Sequence, residues 1–178
     1  MTKTLLVLRH AKSDRGDSAV RDHDRPLAPR GETDAPQMGT ALAALAMIPD
    51  RILTSTAVRA RETTRLVAAA MGYDGEIIEE TGIYAASVDT LLDVLRDGDD
   101  EETLLLVGHN PGLEELICLL TGGMDAEPVV RLPTAGLACL ALDIRQWSHL
   151  RPECGLLQWF LTPRIVYPLL HASRDLAR

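Results

Sequence analysis

The sequence predicts an α/β fold with a mostly parallel central sheet and helices on both faces, in a three-layer α/β/α domain spanning residues 1–178. Short apolar runs alternate with longer segments of helical periodicity, which is the pattern of parallel strands joined by helices. The 178 residues are 46% hydrophobic and 25% charged, enough to bury a core without a metal or a disulfide. Aromatic residues make up only 3%, so the core is expected to be aliphatic.

The first strand and the loop after it begin the pattern. Residues 4–8 (TLLVL) are almost all apolar and predict a buried strand. The polar segment 13–30 is rich in Asp and Arg and predicts a long functional loop. A helix is expected from about Thr33 to Ala46, where Pro36 is tolerable only in the first turn.

The rest of the chain continues the alternation. Residues 103–107 (TLLLV) predict the clearest buried strand, and the helix after it begins at Pro111, with Asn110 as its cap and Gly122-Gly123 as its stop. The last two strands are expected to be antiparallel at an edge, before a tail with two prolines and a short helix. The other predicted elements are strands at 51–54, 76–79, 136–143 and 156–161 and helices at 57–71 and 88–96.

Charges are distributed unevenly along the chain. Eighteen Lys and Arg against 26 Asp and Glu give a net charge of −8, which argues against nucleic acid and anionic membranes as partners. The first 30 residues differ, because seven cations against four acids give about +3. Only two of the 18 cations are Lys, and the planar Arg side chain matches pairs of phosphate or carboxylate oxygens.

Cysteine usage and the N-terminus indicate the compartment. Cys118, Cys139 and Cys154 are far apart and lack the spacing of a zinc site or a disulfide framework, so buried thiols are expected. The apolar run near the N-terminus is too short for a signal peptide or a membrane span. The expected location is therefore the cytoplasm.

Two of the five histidines follow predicted strands. The residues at the carboxyl ends of the predicted strands are Arg9-His10 in the first, Ser55-Thr56 followed by Arg59 in the second, and Gly108-His109-Asn110 in the fourth. Ligands of open α/β sheets bind outside the carboxyl ends of the strands. We therefore expect these residues to meet at one rim of the sheet.

Arg59 indicates the charge of the ligand. If Thr56 caps the second helix, Arg59 is its third residue, where the helix macrodipole disfavours a cation. The backbone N–H groups at the same helix end favour an anion. A strongly anionic ligand of the size of phosphate would pair with the Arg59 cation and with these backbone N–H groups.

Two histidines and two arginines around one phosphate can form a catalytic set. One imidazole would attack phosphorus while the arginines neutralise its oxygens, and water would later cleave the phosphohistidine. The residues alone also allow structural histidines, a phosphate-binding module without catalysis, or a metal site, which Arg9 beside His10 disfavours. Kinase and dinucleotide motifs are absent, and His23, His149 and His171 are interpreted as surface or structural residues.

Four ordered motifs resemble those of the histidine phosphatase superfamily. Residues 8–13 (LRHAKS) resemble its RHG-type signature and are most similar to the SixA-like branch. The other three motifs are 25–31 (RPLAPRG), which resembles the RPLxxxG loop, 54–63 (TSTAVRARET), which resembles a helix start, and 107–112 (VGHNPG), which resembles the second-histidine motif. The resemblance implies a phosphoglycerate-mutase-like fold in a single histidine-phosphatase domain.

The resemblance also implies a role for individual residues. The implied catalytic residues are His10 as nucleophile, with Arg9, Arg59 and His109 around the phosphate. The implied substrate-binding residues are Arg25, Ser13 and Asn110. The implied enzyme is a hydrolase that uses no metal and no cofactor.

Two substrate classes stay open at this point. Phosphoester-cleaving members of the superfamily carry an acidic proton donor after the third strand, for which Glu79 and Glu80 are the nearest candidates, although neither fits the donor's pattern. SixA-like members generally lack this donor, which fits phosphohistidine, because its nitrogen leaves more readily than an alkoxide. We expect a phosphorylated protein carrying phosphohistidine, steered by the basic first 30 residues. A small phosphomonoester and a non-catalytic phosphate module are the alternatives.

Overall fold

A six-stranded sheet forms the centre of the structure, a computed structural model that describes residues 2–14, 16, 19–122 and 130–175. The strands are β1 (Lys3–Arg9), β2 (Arg51–Ser55), β3 (Ile77–Glu80), β4 (Thr103–Gly108), β5 (Leu137–Leu142) and β6 (Gly155–Leu161). Their order across the sheet is β3-β2-β4-β1-β5-β6. Strands β1 to β4 are parallel, β5 is antiparallel to β1, and β6 is antiparallel to β5. The predicted α/β fold, with its antiparallel edge, is confirmed.

Helices cover both faces of this sheet. They are α1 (Pro29–Ala44), α2 (Val58–Met71), α3 (Val88–Arg96), α4 (Gly112–Gly122) and α5 (Pro163–Asp175). Helices α1, α2 and α5 pack on one face, and α3 and α4 pack on the other. Of the predicted stop of α4, Gly122 is the last helical residue and Gly123 lies outside the described residues. The described helices include none with the length and apolar character that crossing a membrane requires.

The two faces of β1 illustrate how the core is built. Leu5 and Val7 pack with the α3 and α4 side, whereas Leu6 and Leu8 pack with the α1 and α2 side. This follows from the alternation of side chains along a strand. All four side chains are fully buried, which explains why the strand reads as a continuous apolar run.

The first helix begins earlier than predicted. Helix α1 starts at Pro29 rather than Thr33, because a proline at the first helical position needs no N–H partner. Pro36 consequently lies in the helix interior, so the expectation that confined it to the first turn is wrong. Burial of Met38 and Leu42 against the sheet offsets the hydrogen bond that Pro36 removes.

Gly31 allows α1 to approach the exit of β1. A Cβ atom at this position would lie 2.2 Å from the Lys12 carbonyl oxygen, so a larger residue would force the two segments apart. The Ala28 N–H donates to the same carbonyl at 2.8 Å. The glycine of the RPLAPRG motif therefore keeps the loop close to the end of β1.

The cap predicted for α2 is wrong. The N-cap is Ala57, so Arg59 is the second helical residue rather than the third. The Thr56 hydroxyl does not bond to the helix, because His23 Nε2 from the preceding loop lies 3.0 Å from it. Ser55 Oγ accepts a hydrogen bond from the Ala57 N–H at 3.3 Å instead. Arg59 nevertheless stays in the first turn, as expected.

The cap predicted for α4 is also wrong. This helix begins at Gly112, and the Asn110 side chain donates to Glu114 Oε1 at 2.7 Å and to the Leu132 carbonyl at 3.0 Å. Asn110 thereby ties the exit of β4 to the segment before β5. The amide is used in a tertiary contact, so it does not cap the helix.

The order of the strands explains why distant residues converge. Strand β4 lies between β1 and β2, so the carboxyl ends of these three parallel strands are adjacent. Their last residues are Arg9, Ser55 and Gly108. His10 and His109 each follow directly, at the same edge of the sheet.

Candidate active site

A polar cavity of about 290 Å³ opens at this edge. It is lined by Arg9, His10, Lys12, Ser13, Asp22, Arg25, Arg59, His109, Asn110 and Thr134. The structure thus brings together all seven catalytic and substrate-binding residues that the resemblance implies. Three lining residues carry no sequence-based expectation, namely Lys12, Asp22 and Thr134. Four cations face one carboxylate here, a balance that suits an anion of the size and charge of phosphate.

His10 is buried and its ring is fixed by the backbone. Its Nδ1 lies 2.7 Å from the Ala11 carbonyl oxygen. A carbonyl only accepts, so Nδ1 carries the proton and Nε2 carries the lone pair. The Ala11 N–H donates to Thr63 Oγ1 at 2.9 Å, which holds this turn against α2. The arrangement presents a neutral imidazole with its unprotonated nitrogen at the cavity.

Arg59 lies next to that nitrogen and is only 7% exposed. Its Nε donates to His10 Nε2 at 3.3 Å, and one terminal nitrogen lies 3.4 Å from His109 Nδ1. The guanidinium also donates to the Asp22 backbone carbonyl and, at 2.9 Å, to the Asp22 carboxylate. A buried cation requires such a partner, and Asp22 provides it in this structure.

His109 is oriented by a buried serine. Its Nε2 lies 2.8 Å from Ser55 Oγ, at the end of β2. Arginine only donates, so Nδ1 accepts from Arg59 and Nε2 donates to the serine. The His10 and His109 ring centroids are 5.0 Å apart, close enough for both rings to contact one phosphoryl group.

Both imidazoles are held in the neutral form. Burial, reinforced by the charges of Arg59 and Arg9, lowers the pKa of His10 to about 4, although the Ala11 hydrogen bond acts to raise it. Burial and the neighbouring His10 ring lower the pKa of His109 to about 3. Both imidazoles are therefore neutral throughout the physiological pH range.

We expect an NMR titration of the free protein to show the His10 ring becoming half protonated near pH 4. His10→Ala would assign the signal. In the unfolded chain His10 has its ordinary pKa of 6.5, so between pH 6.5 and 4 the unfolded chain binds a proton that the folded protein does not bind. The free energy of unfolding therefore decreases as the pH falls from 6.5 towards 4. Circular dichroism at each pH separates titration from unfolding. A midpoint for His10 at or above 6.5 in the folded protein would contradict the assignment.

Asp22 brings a carboxylate into the cavity from the long loop, within the 3₁₀ turn Asp22–Asp24. Besides Arg59, its Oδ2 accepts from the Tyr84 hydroxyl at 3.0 Å, and its Oδ1 accepts from Arg25 at 3.2 Å. Partial burial acts to raise the pKa of Asp22, but the hydrogen bonds from Tyr84 and Arg59 hold it below its ordinary value. Asp22 is consequently ionised at neutral pH.

Tyr84 connects the loop to the second histidine. Its ring packs edge-on against His109 at 5.5 Å and against His23 at 4.8 Å between centroids. His23, interpreted from the sequence as a surface or structural residue, therefore helps to hold the rim of the cavity. Sequence reasoning missed Tyr84 because it lies outside the four motifs.

Arg9 and Asn110 share one backbone anchor. Arg9 donates to the Leu132 carbonyl at 2.8 Å, which also accepts from Asn110. Glu114 Oε1 accepts from the Leu132 N–H at 2.6 Å and fixes this carbonyl in place. The Asn110 side-chain oxygen is buried and has no hydrogen-bond partner in the described part of the chain.

The two candidate proton donors lie outside the cavity. Glu79 contacts Arg61 at 3.5 Å beside a separate depression on the α2 side. Glu80 accepts from the Gly82 N–H at 2.8 Å and caps the short 3₁₀ turn after β3. Across the described ranges, no group of three or more His, Cys, Asp and Glu side chains is arranged to hold a metal ion.

Comparisons with known proteins identify the family of this chain. The family model of the histidine phosphatase superfamily (branch 1) matches residues 5–84, a range that begins within β1 and ends just after β3. An uncharacterised protein of Mycobacterium tuberculosis is 38% identical over 164 residues, covering 88% of this chain and 100% of the relative. The chain belongs to the histidine phosphatase superfamily.

Solved structures place it more narrowly. A structure from Nakamurella multipartitia with the provisional name phosphohistidine phosphatase SixA is 31% identical, with a TM-score of 0.77 and coverage of 92% of this chain and 97% of that one. A similarly named structure from Agrobacterium tumefaciens is 29% identical, with a TM-score of 0.76 and coverage of 92% and 99%. Within the superfamily, the chain is SixA-like.

Proposed function

We propose that this phosphatase hydrolyses protein phosphohistidine through a covalent phosphoryl intermediate on His10, without a metal ion. The observation that carries the proposal is the state of His10, whose Nδ1–H is held by the Ala11 carbonyl while Nε2 keeps its lone pair beside Arg59. That is the form in which an imidazole attacks phosphorus.

In the first half-reaction, His10 Nε2 forms a bond to phosphorus and the bond from phosphorus to the leaving group breaks, with its electron pair going to that group. Arg59 stops donating to Nε2 and donates to a phosphoryl oxygen. Arg9 and Arg25 neutralise the other oxygens from their places in the cavity wall. The dianion also favours a proton on His109 Nδ1, because a nearby negative charge raises the pKa of an imidazole.

In the second half-reaction, water attacks the phosphoryl group on His10. The bond from phosphorus to Nε2 breaks, and its electron pair returns to a ring that still carries its proton on Nδ1. Inorganic phosphate leaves, and the water proton passes to phosphate or solvent. Metal independence is supported by Arg59, which contacts both histidines, since its positive charge repels a divalent cation.

Phosphohistidine is favoured as the substrate because the described lining of the cavity holds no protonated carboxyl group that could donate a proton to an alkoxide. Asp22 is the carboxylate in that lining, and its pKa is held below the ordinary value by Tyr84 and Arg59, after the opposing effect of burial. An alkoxide leaving group needs a proton, whereas the ring of phosphohistidine can carry one already.

Replacing Glu79 or Glu80 by Gln is expected to leave kcat on a protein phosphohistidine unchanged. Glu79 would lose a half-exposed ion pair and Glu80 would lose the charge of a turn contact, and neither residue lines the cavity that holds His10. The measurement is phosphate release by each variant from a phosphohistidine protein and from a panel of small phosphomonoesters. Loss of turnover in either variant would favour the alternative of a small-molecule phosphomonoesterase that uses this Glu as its acid.

The same substrate comparison on the wild-type protein tests the proposed function. We expect higher kcat/KM for phosphohistidine on a protein than for phosphomonoesters. Saturable phosphate binding without turnover on either class would instead favour a non-catalytic phosphate-binding module. For location we propose the cytoplasm, supported by the buried thiols of Cys139 and Cys154, which a reducing compartment preserves.

A further inference from the structure

The negative charge of Asp22 is unexpected in a site that binds phosphate. An ionised carboxylate repels a phosphate dianion, yet this one is aimed into the cavity by three separate donors, Arg59, Arg25 and Tyr84. Pairing with Arg59 alone would not need the Tyr84 hydroxyl, which comes from a different part of the chain. The arrangement points to a group on the substrate that a carboxylate attracts.

The position of Asp22 indicates which part of the substrate it meets. Its side chain is 54% exposed, whereas that of Arg59 is 9% exposed, so Asp22 lies nearer the mouth of the cavity. The phosphoryl group must reach His10 at the buried end, so the leaving group extends back towards the mouth. Asp22 therefore lies on the side of the leaving group.

Asp22 can accept a further hydrogen bond there. A carboxylate has about four acceptor positions, and the contacts from Arg59, Tyr84 and Arg25 use three. When Arg59 turns to a phosphoryl oxygen, one more position is released, while Tyr84 and Arg25 still hold the carboxylate in place. An N–H donor on the leaving group would find an oriented, charged acceptor.

A phosphorylated imidazole has such a donor. When its distal ring nitrogen is protonated, the ring is cationic and leaves as neutral imidazole, because the electron pair of the broken P–N bond cancels the ring charge. When that nitrogen is unprotonated, the same step expels an imidazolate anion. A carboxylate at the distal nitrogen favours the protonated ring. An alkoxide leaving group offers neither the N–H nor the positive charge.

We propose that the Asp22 carboxylate accepts the N–H of the distal ring nitrogen of the substrate phosphohistidine and thereby selects a cationic nitrogen leaving group over an alkoxide. This inference rests on the proposed function and adds a specificity-determining residue to it. The His10 ring and the substrate ring then lie on opposite sides of the phosphoryl group, and each has the proton on its distal nitrogen held by an acceptor of the protein. His10 holds its distal proton on the Ala11 carbonyl, and the substrate ring holds its distal proton on Asp22.

The test compares two small substrates that differ in the leaving group, N-phosphoimidazole and 4-nitrophenyl phosphate. Asp22→Asn removes the charge and keeps the size of the side chain. We expect the ratio of kcat/KM for phosphoimidazole to that for the aryl phosphate to fall by about 10- to 100-fold, as for a hydrogen bond to a charged group. Asp22→Glu, which keeps the carboxylate, should restore part of the ratio.

Asp24→Asn is the matched control. Asp24 belongs to the same 3₁₀ turn but pairs with Arg21 and His23 and does not line the cavity, so the ratio should stay at the wild-type value. A merely structural role of Asp22, such as holding Arg59, would lower both rates together and leave the ratio unchanged, which would overturn the inference. Thermal melting of each variant shows whether it is folded.

The outcomes also separate this inference from the proposed function. If the wild-type protein hydrolyses the aryl phosphate but neither phosphoimidazole nor a phosphohistidine protein, the proposed substrate class fails. If the wild type hydrolyses phosphoimidazole and Asp22→Asn keeps the wild-type ratio, the role of Asp22 alone is overturned.

Discussion

The His10→Ala variant is expected to lose turnover on every phosphorylated substrate by about 10⁴-fold or more. The reason is that the proposed covalent route begins at His10 Nε2, and no arrangement of the remaining arginines can replace a missing nucleophile. Phosphate binding should persist in part, since Arg9, Arg25 and Arg59 still line the cavity. Steady-state phosphate release with wild type and variant at equal concentration measures the effect.

His149→Ala is the matched control for this substitution. His149 is exposed and lies with Thr2 in a depression beside the N-terminal end of β1, away from the cavity. Its replacement should leave kcat at the wild-type value. Because His10 is buried, the folding of the His10→Ala variant is checked by circular dichroism. A folded variant whose loss is no larger than that of Arg59→Ala would contradict the assignment of His10 as nucleophile.

Arg59→Ala is expected to lower kcat by about 10²- to 10³-fold, or about 3 kcal/mol of transition-state stabilisation. The guanidinium contacts both histidines and is almost fully buried, so its charge acts on the phosphoryl oxygens with little screening by water. The loss should appear in kcat as well as in kcat/KM, because negative charge on the equatorial oxygens is best neutralised in the transition state.

Arg61→Ala separates this effect from a general loss of positive charge. Arg61 is on the same helix, two residues further on, but its half-exposed side chain contacts Glu79 outside the cavity. Its replacement should leave both constants unchanged. If Arg59→Ala raised KM and left kcat intact, the arginine would be a ground-state binding residue, and its proposed role would be contradicted.

The sheet was predictable because the central residues of its two middle strands, β1 and β4, form continuous apolar runs. Residues 4–8 and 103–107 are adjacent parallel strands in the structure, paired from Thr4 with Thr103 onwards. Burial on both faces leaves a continuous apolar run in the sequence, and that run marks a strand without a structure. The convergence of His10, Arg59 and His109 then follows from the rule that parallel strands present their carboxyl ends at one edge.

The helix starts were harder to predict because tertiary contacts compete with local capping. Thr56 is a good cap by residue type, but its hydroxyl contacts His23, which is 33 positions away in the chain. Asn110 is likewise diverted to the Leu132 carbonyl. Neither partner can be recognised from the residues around the helix, so the local rule gave the wrong cap in both cases.

Asp22 and Tyr84 were missed as site residues because their positions also depend on tertiary contacts. Asp22 and Tyr84 are 62 positions apart, and their contact depends on how the loop folds over the end of β2. In the sequence, Asp22 is one acid in a mixed run of Asp and Arg, which reads as a solvated loop. Only the structure shows that its carboxylate faces a cavity lined by arginines.

The central claim, a phosphoryl group on His10, is tested most directly by mass spectrometry of the protein quenched shortly after mixing with a phosphodonor, with metal ions removed by a chelator. The account predicts an acid-labile phosphoryl adduct that maps to His10 in the wild type and is absent from His10→Ala. Full turnover without any adduct, or an adduct that persists in His10→Ala, would contradict it.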